Sequence, residues 1–115
     1  MAAFVEVEVI GRRQSARVYA IIDTGFDGAL CLPIDVAVTL GLELAGYEFV
    51  QYADGRIARE LTFHGIVRFL GRRREVRISL TESNEALVGL EMLRGYEMIL
   101  DGDTHRVQFK QKRVR

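Results

Sequence analysis

One carboxylate in this chain is placed as a reagent would be. Asp23 closes the apolar run Val18-Tyr19-Ala20-Ile21-Ile22, and Thr24 and Gly25 follow it. A second apolar run, Ala29-Leu30-Cys31-Leu32-Pro33, comes a few residues later. This order describes a buried strand that delivers an acid to its tip, beside a hydroxyl and a glycine that lets another backbone come close. Two carboxylates about 3 Å apart share one proton, because like charges that near cannot both ionise. The ionised member then takes a proton from water while the protonated member donates to a carbonyl oxygen, which is the chemistry of amide hydrolysis. Only Asp23 has such a setting. Asp101-Gly102-Asp103-Thr104 carries related residues in another order, with no buried strand leading in, and reads as a turn. The second carboxylate is therefore expected from another copy of the chain, brought across a twofold axis. By itself the tripeptide fits equally a structural turn in which the aspartate bonds its own backbone. The flanking runs and a late Leu87-Val88-Gly89 favour the acid-bearing loop.

The elements that must position Asp23 follow from periodicity. Val5, Val7 and Val9 alternate with Glu6 and Glu8, as in a half-buried strand. Gly11-Arg12-Arg13-Gln14 reads as a turn, with a returning strand over residues 17–22. Pro33 is expected to open a helix as its first residue, and residues 34–42 carry apolar side chains at helical spacing up to Gly41. Tyr47 to Tyr52 and Ile57 to Leu61 flank Ala53-Asp54-Gly55-Arg56, a hairpin whose Asp-Gly predicts positive φ at both central residues. Further strands are expected at 64–70, 75–80, 98–100 and 105–109, with a helical turn over 90–93. Val9-Ile10-Gly11-Arg12-Arg13 is echoed by Phe69-Leu70-Gly71-Arg72-Arg73, and Ile21-Ile22-Asp23-Thr24-Gly25 by Leu87-Val88-Gly89. An internal twofold would produce such an echo.

A chain of 115 residues that is 49% hydrophobic suits one small domain, expected over residues 1–109. Residues 110–115 form a basic tail, expected to fray. Sixteen basic residues balance sixteen acidic ones, which leaves no global field to draw nucleic acid or a membrane. The absence of a long apolar stretch or signal-like segment makes the cytoplasm the expected location. Cys31, the only cysteine, reads as a buried small hydrophobe. His64 and His105 read as structural or exposed, and Arg72-Arg73-Arg74 as a solvated turn. No spacing suggests a metal site, and Gly25-Phe26-Asp27-Gly28 lacks the lysine of a phosphate cradle. No cofactor is expected.

With these residues in hand, the chain resembles the retropepsin-type aspartic peptidases, especially small bacterial members of that clan. The resemblance is carried by Ala20-Ile21-Ile22-Asp23-Thr24-Gly25, Leu30-Cys31-Leu32-Pro33, the hairpin tipped at Gly55, and Leu87-Val88-Gly89 before a short helix. It implies a mostly β, closed, barrel-like acid-protease fold, largely antiparallel. One short helix follows the catalytic-loop strand and one helical turn lies near the C-terminus. It further implies an obligate homodimer acting on an extended polypeptide. Asp23 is then the catalytic acid, Thr24 and Gly25 complete the loop, Phe26 and Asp27 border the substrate cleft, and Ala53, Asp54, Gly55 and Arg56 form the flap tip. Viral members usually carry alanine where this chain has Phe26. They also follow the late glycine with an arginine that ties down the residue matching Asp27. Here Leu90 stands in that place, and Arg94 is the candidate substitute. A module that keeps the fold and binds peptides without cutting them is the alternative, as is a subunit needing an unlike partner.

Overall fold

The computed structural model describes residues 2–112. Seven strands belong to one sheet: β1 (Phe4–Ile10), β2 (Ser15–Ile22), β3 (Leu30–Pro33), β4 (Glu43–Gln51), β5 (Ile57–Phe69), β6 (Arg72–Thr81) and β7 (Ala86–Val88). Helix α1 (Ile34–Leu40) follows β3, and the single turn α2 (Leu90–Leu93) follows β7. Strands β8 (Tyr96–Leu100) and β9 (Val107–Gln111) form a separate antiparallel ribbon. Lys110 and Gln111 thus pair within β9, while residues 113–115 of the expected tail lie outside the described residues. Among the described residues no helix is long and apolar enough to cross a membrane.

The order β1-β2-β7-β3-β6-β5-β4, with β1 also paired to β5, closes six strands into a barrel and leaves β4 outside it. Closure removes the open sheet edges that would otherwise recruit other chains. An internal twofold is visible in the pairing. It matches the Val9–Arg13 and Phe69–Arg73 segments, whereas Ile21–Gly25 and Leu87–Gly89 follow strands that pair with each other rather than symmetry mates. β2 runs parallel to β7, and β3 runs parallel to β6 in the same way. β1 meets β5 and β3 meets β7, both antiparallel. Exchanging β1-β2-β3-α1 with β5-β6-β7-α2 preserves each of these pairings, so the barrel has a pseudo-twofold.

Alternation selects what the barrel buries. Val7 and Val9 of β1, Val67 and Phe69 of β5, Leu30, Leu32, Ile78 and Val88 are essentially inaccessible, and Leu40 and Met92 plug the core from the helices. At about 1.5–3 kcal/mol for each large apolar side chain removed from water, this cluster is the main source of stability. Phe69 stacks edge-to-face with Tyr96 and Phe109, at centroid distances of 6.0 and 5.7 Å, which fastens the β8–β9 ribbon to the barrel.

Four details differ from expectation. Pro33 is the last residue of β3, directly before α1, rather than the first residue of the helix. The segments expected at 57–61 and 64–70 are one strand of 13 residues. Thr62 is buried, then Gly65, Val67 and Phe69, so the inward-facing parity changes near Phe63 and breaks the alternation in two. The change falls where β5 passes from pairing with β4 to pairing with β6, opposite an irregularity at Leu44/Gly46. Arg72 to Arg74 belong to β6, and only Leu70 and Gly71 make the turn. β9 starts at Val107, because His105 adopts a left-handed φ of 60° and donates its backbone N–H to the Asp101 carbonyl.

Candidate active site

Asp23 stands one residue past β2, at the point where β2 leaves its parallel partner β7. Its N–H donates to the Val88 carbonyl at 2.9 Å, extending the ladder onto the acid itself. Its Oδ1 accepts the Gly25 N–H at 2.9 Å, and its carbonyl accepts the Phe26 N–H at 3.1 Å. The loop is therefore a tight turn that fixes one carboxylate oxygen and leaves Oδ2 without a donor among the described residues. Asp23 is half-buried, whereas Thr24, Gly25 and Asp27 are exposed on one protomer.

Leu87, Val88 and Gly89 meet this loop from the other half of the barrel. Leu87 and Val88 pair with Ile21 and Ile22 on one side and with Cys31 and Leu30 on the other. Gly89 donates to the Ala29 carbonyl at 3.1 Å. The first N–H groups of α2, which have no partner inside a helix, go to the loop: Leu90 donates to the Phe26 carbonyl at 2.9 Å and Glu91 to the Gly28 carbonyl at 3.2 Å. The chain thus holds Phe26 to Gly28 through backbone bonds at the position where viral members use an arginine. Arg94, the candidate partner for Asp27, pairs instead with Glu91 at 3.3 Å.

Arg74 was not singled out by sequence as a positioning residue. Its Nη1 donates to the Met92 carbonyl at 2.8 Å and its Nη2 to the Glu91 carbonyl at 3.1 Å, which caps α2 from β6. An arginine in a run of three, next to a turn glycine, looks like solvated charge. Only its half-buried place in the strand marks Arg74 as different from its neighbours.

The Asp54-Gly55 hairpin projects β4 and β5 beyond the barrel. Its tip differs from the expected two-residue turn. Gly55 donates to the Tyr52 carbonyl at 2.9 Å and Tyr52 to the Arg56 carbonyl at 2.8 Å, enclosing the three-residue loop Ala53-Asp54-Gly55. Gly55 alone has positive φ, at 88°, as a three-residue hairpin loop ending in a left-handed glycine requires. The Asp54 side chain accepts from Arg56 N–H and Nε, and the Arg56 guanidinium lies over the Tyr52 ring.

A groove of about 970 Å³ runs from Gly25, Phe26 and Asp27 to the hairpin, floored by Leu30 and Cys31 and roofed by Glu48, Tyr52 and Glu60. Burial pushes the Cys31 thiol above its ordinary value, against a smaller opposing effect from its hydrogen bond with Ser79. Cys31 is thus a protonated, inert floor residue. The Tyr52 hydroxyl donates to Glu60, which raises the tyrosine above its ordinary value.

The architecture is shared with known proteins. The protease of EIAV, in a complex with the inhibitor HBY-793, superposes with a TM-score of 0.64 at 14% identity, over 82% of this chain and 86% of that one. The protease of simian foamy virus (mac) superposes with a TM-score of 0.57 at 13% identity, over 78% and 90%. No family model and no curated protein sequence matches the chain. The fold is therefore that of the retropepsin-like aspartic peptidases, as the Asp-Thr-Gly loop in its strand context implied.

Proposed function

We propose that this chain is an aspartic endopeptidase that acts as a homodimer, with one Asp23 from each protomer forming the catalytic pair. The reading rests most heavily on the loop geometry. β2 delivers a half-buried carboxylate to its tip, and the segment Val88 to Glu91 holds the loop through four backbone bonds formed within a single protomer. The shared fold with two viral proteases supports it. Exposure of Thr24 and Gly25 leaves the loop open to a mate across a twofold, the arrangement most homodimers adopt.

In the dimer the two Asp23 carboxylates hold one proton between them. An extended polypeptide enters the groove between the loop and the hairpin. The ionised carboxylate removes a proton from a water whose oxygen attacks the scissile carbonyl carbon, and the protonated carboxylate donates to the carbonyl oxygen. Collapse of the tetrahedral species returns that proton to its carboxylate and breaks the C–N bond, while the carboxyl that took the water's proton passes it to the leaving nitrogen. The Gly25 N–H and the Asp23 N–H···O Val88 bond keep each acid oriented throughout. Activity is expected only in the pH range where the pair holds a single proton, giving a bell-shaped profile.

Replacing Asp23 with Asn keeps the acceptor for Gly25 but removes the acid. Cleavage of an unfolded protein should fall by about 10³-fold or more, with the far-UV spectrum and the sedimentation coefficient unchanged. Undiminished cleavage by Asp23→Asn would rule out the assignment.

A further inference from the structure

Two carboxylates face each other across the hairpin, and among the described residues the one cation within ion-pair reach of either is the exposed Arg77. Glu48 of β4 is the direct register partner of Glu60 of β5. Like charges directly opposite in an antiparallel pair destabilise the pairing. Both side chains line the groove. Glu48 has an exposed ion pair with Arg77 at 3.6 Å, worth little in water. Glu60 accepts the Tyr52 hydroxyl and, among the described residues, meets no cation within ion-pair reach. The other arginine lining the groove, Arg74, is occupied by the α2 carbonyls.

A second observation falls on the same face. Thr62 lies two residues beyond Glu60 on β5, so its side chain points the same way. It is 3% exposed, lines the groove, and its Oγ1 has no hydrogen-bond partner among the described residues. A buried hydroxyl without a partner is costly. A cationic group bearing several N–H donors, placed under the hairpin, would neutralise the opposed carboxylates and offer a donor towards this hydroxyl.

Building on the proposed peptidase, we infer that the groove selects a lysine or arginine side chain of the extended polypeptide, held under the hairpin by Glu60 and Glu48. Glu60 is a specificity-determining residue in this scheme and takes no part in the chemistry at Asp23.

The test has a cleavage arm and a binding arm. In the first, the wild-type protein and Glu60→Gln digest a mixture of proteome-derived peptides, and cleavage sites are read by mass spectrometry. In the second, immobilised Asp23→Asn protein, with and without Glu60→Gln, captures peptides from the same mixture. Lysine and arginine should be enriched at one fixed position, by about tenfold over norleucine in matched synthetic peptides, and Glu60→Gln should erase that preference. Glu60→Gln should melt no lower than wild type, since it relieves the opposed charges. Should it misfold, Glu48→Gln replaces it in both arms, with the same loss of preference expected. Cleavage without a basic preference would overturn the inference and leave the peptidase standing. Basic peptides captured through Glu60 by a protein that cleaves nothing would uphold the inference and sink the peptidase. Neither cleavage nor capture would overturn both.

Discussion

A Cβ on Gly89 would stand 2.3 Å from the Gly28 carbonyl oxygen and 2.4 Å from that of Phe26. Neither atom can yield, because both carbonyls accept the N–H groups that open α2. Gly89→Ala should therefore displace the whole Asp23 loop, with a loss of about 1–3 kcal/mol in denaturant unfolding and a larger fractional loss of cleavage. Arg74→Met keeps much of the side-chain volume but frees two α2 carbonyls. A loss of about 1–2 kcal/mol in the same measurement is expected, with Asp23 itself untouched. These residues differ in how openly the sequence announced them. Asp23, Thr24, Gly25 and Gly89 sit at the ends of apolar runs, where a strand must stop and present something. Arg74 depends on where α2 packs, a tertiary fact that no local pattern encodes.

Among the elements, strand existence was more legible than strand extent. The helix read over residues 34–42 and the turn over 90–93 were legible, the first from apolar spacing and Gly41, the second from its place after Gly89, although α1 itself ends at Leu40. β5 was read as two strands because the side facing the core changes along it, and alternation is the only local sign of continuity. The hairpin was evident, yet its loop length was not, since Asp-Gly serves both a two-residue turn and a three-residue loop with a left-handed glycine. The turn between β8 and β9 yields a prediction of its own. Asp101 accepts backbone N–H bonds from Asp103 and Thr104, and these hold its carboxyl below the usual 3.8. A lowered folded value adds stability above 3.8 and loses it as pH falls through that lower value. Asp101→Asn retains an acceptor without the charge. It should melt lower than wild type at neutral pH, and the gap should close as the pH is taken below 3.8.

At the scale of the molecule, the barrel accounts for the fold but not for the chemistry. One protomer brings a single aspartate to the end of β2, where its N–H bonds the end of β7 beside Gly89. The echo of Val9–Arg13 in Phe69–Arg73 foretold the pseudo-symmetry, which matches β1 with β5. That of Ile21–Gly25 in Leu87–Gly89 did not, because the twofold matches β2 with β6 and β3 with β7. What the sequence left open was how Phe26 to Gly28 are held without the viral arginine, because backbone bonds to Leu90 and Glu91 leave no residue-type signature. The central claim is that two chains each contribute an Asp23. Its most direct test is to mix wild-type chains with Asp23→Asn chains, allow subunits to exchange, and measure cleavage per wild-type chain. If the active unit needs both acids, an equimolar mixture should retain about half the activity per wild-type chain, and a growing excess of Asp23→Asn should drive it towards zero. Activity per wild-type chain that stays constant at every excess, with exchange verified by mass-tagged subunits, would contradict the account.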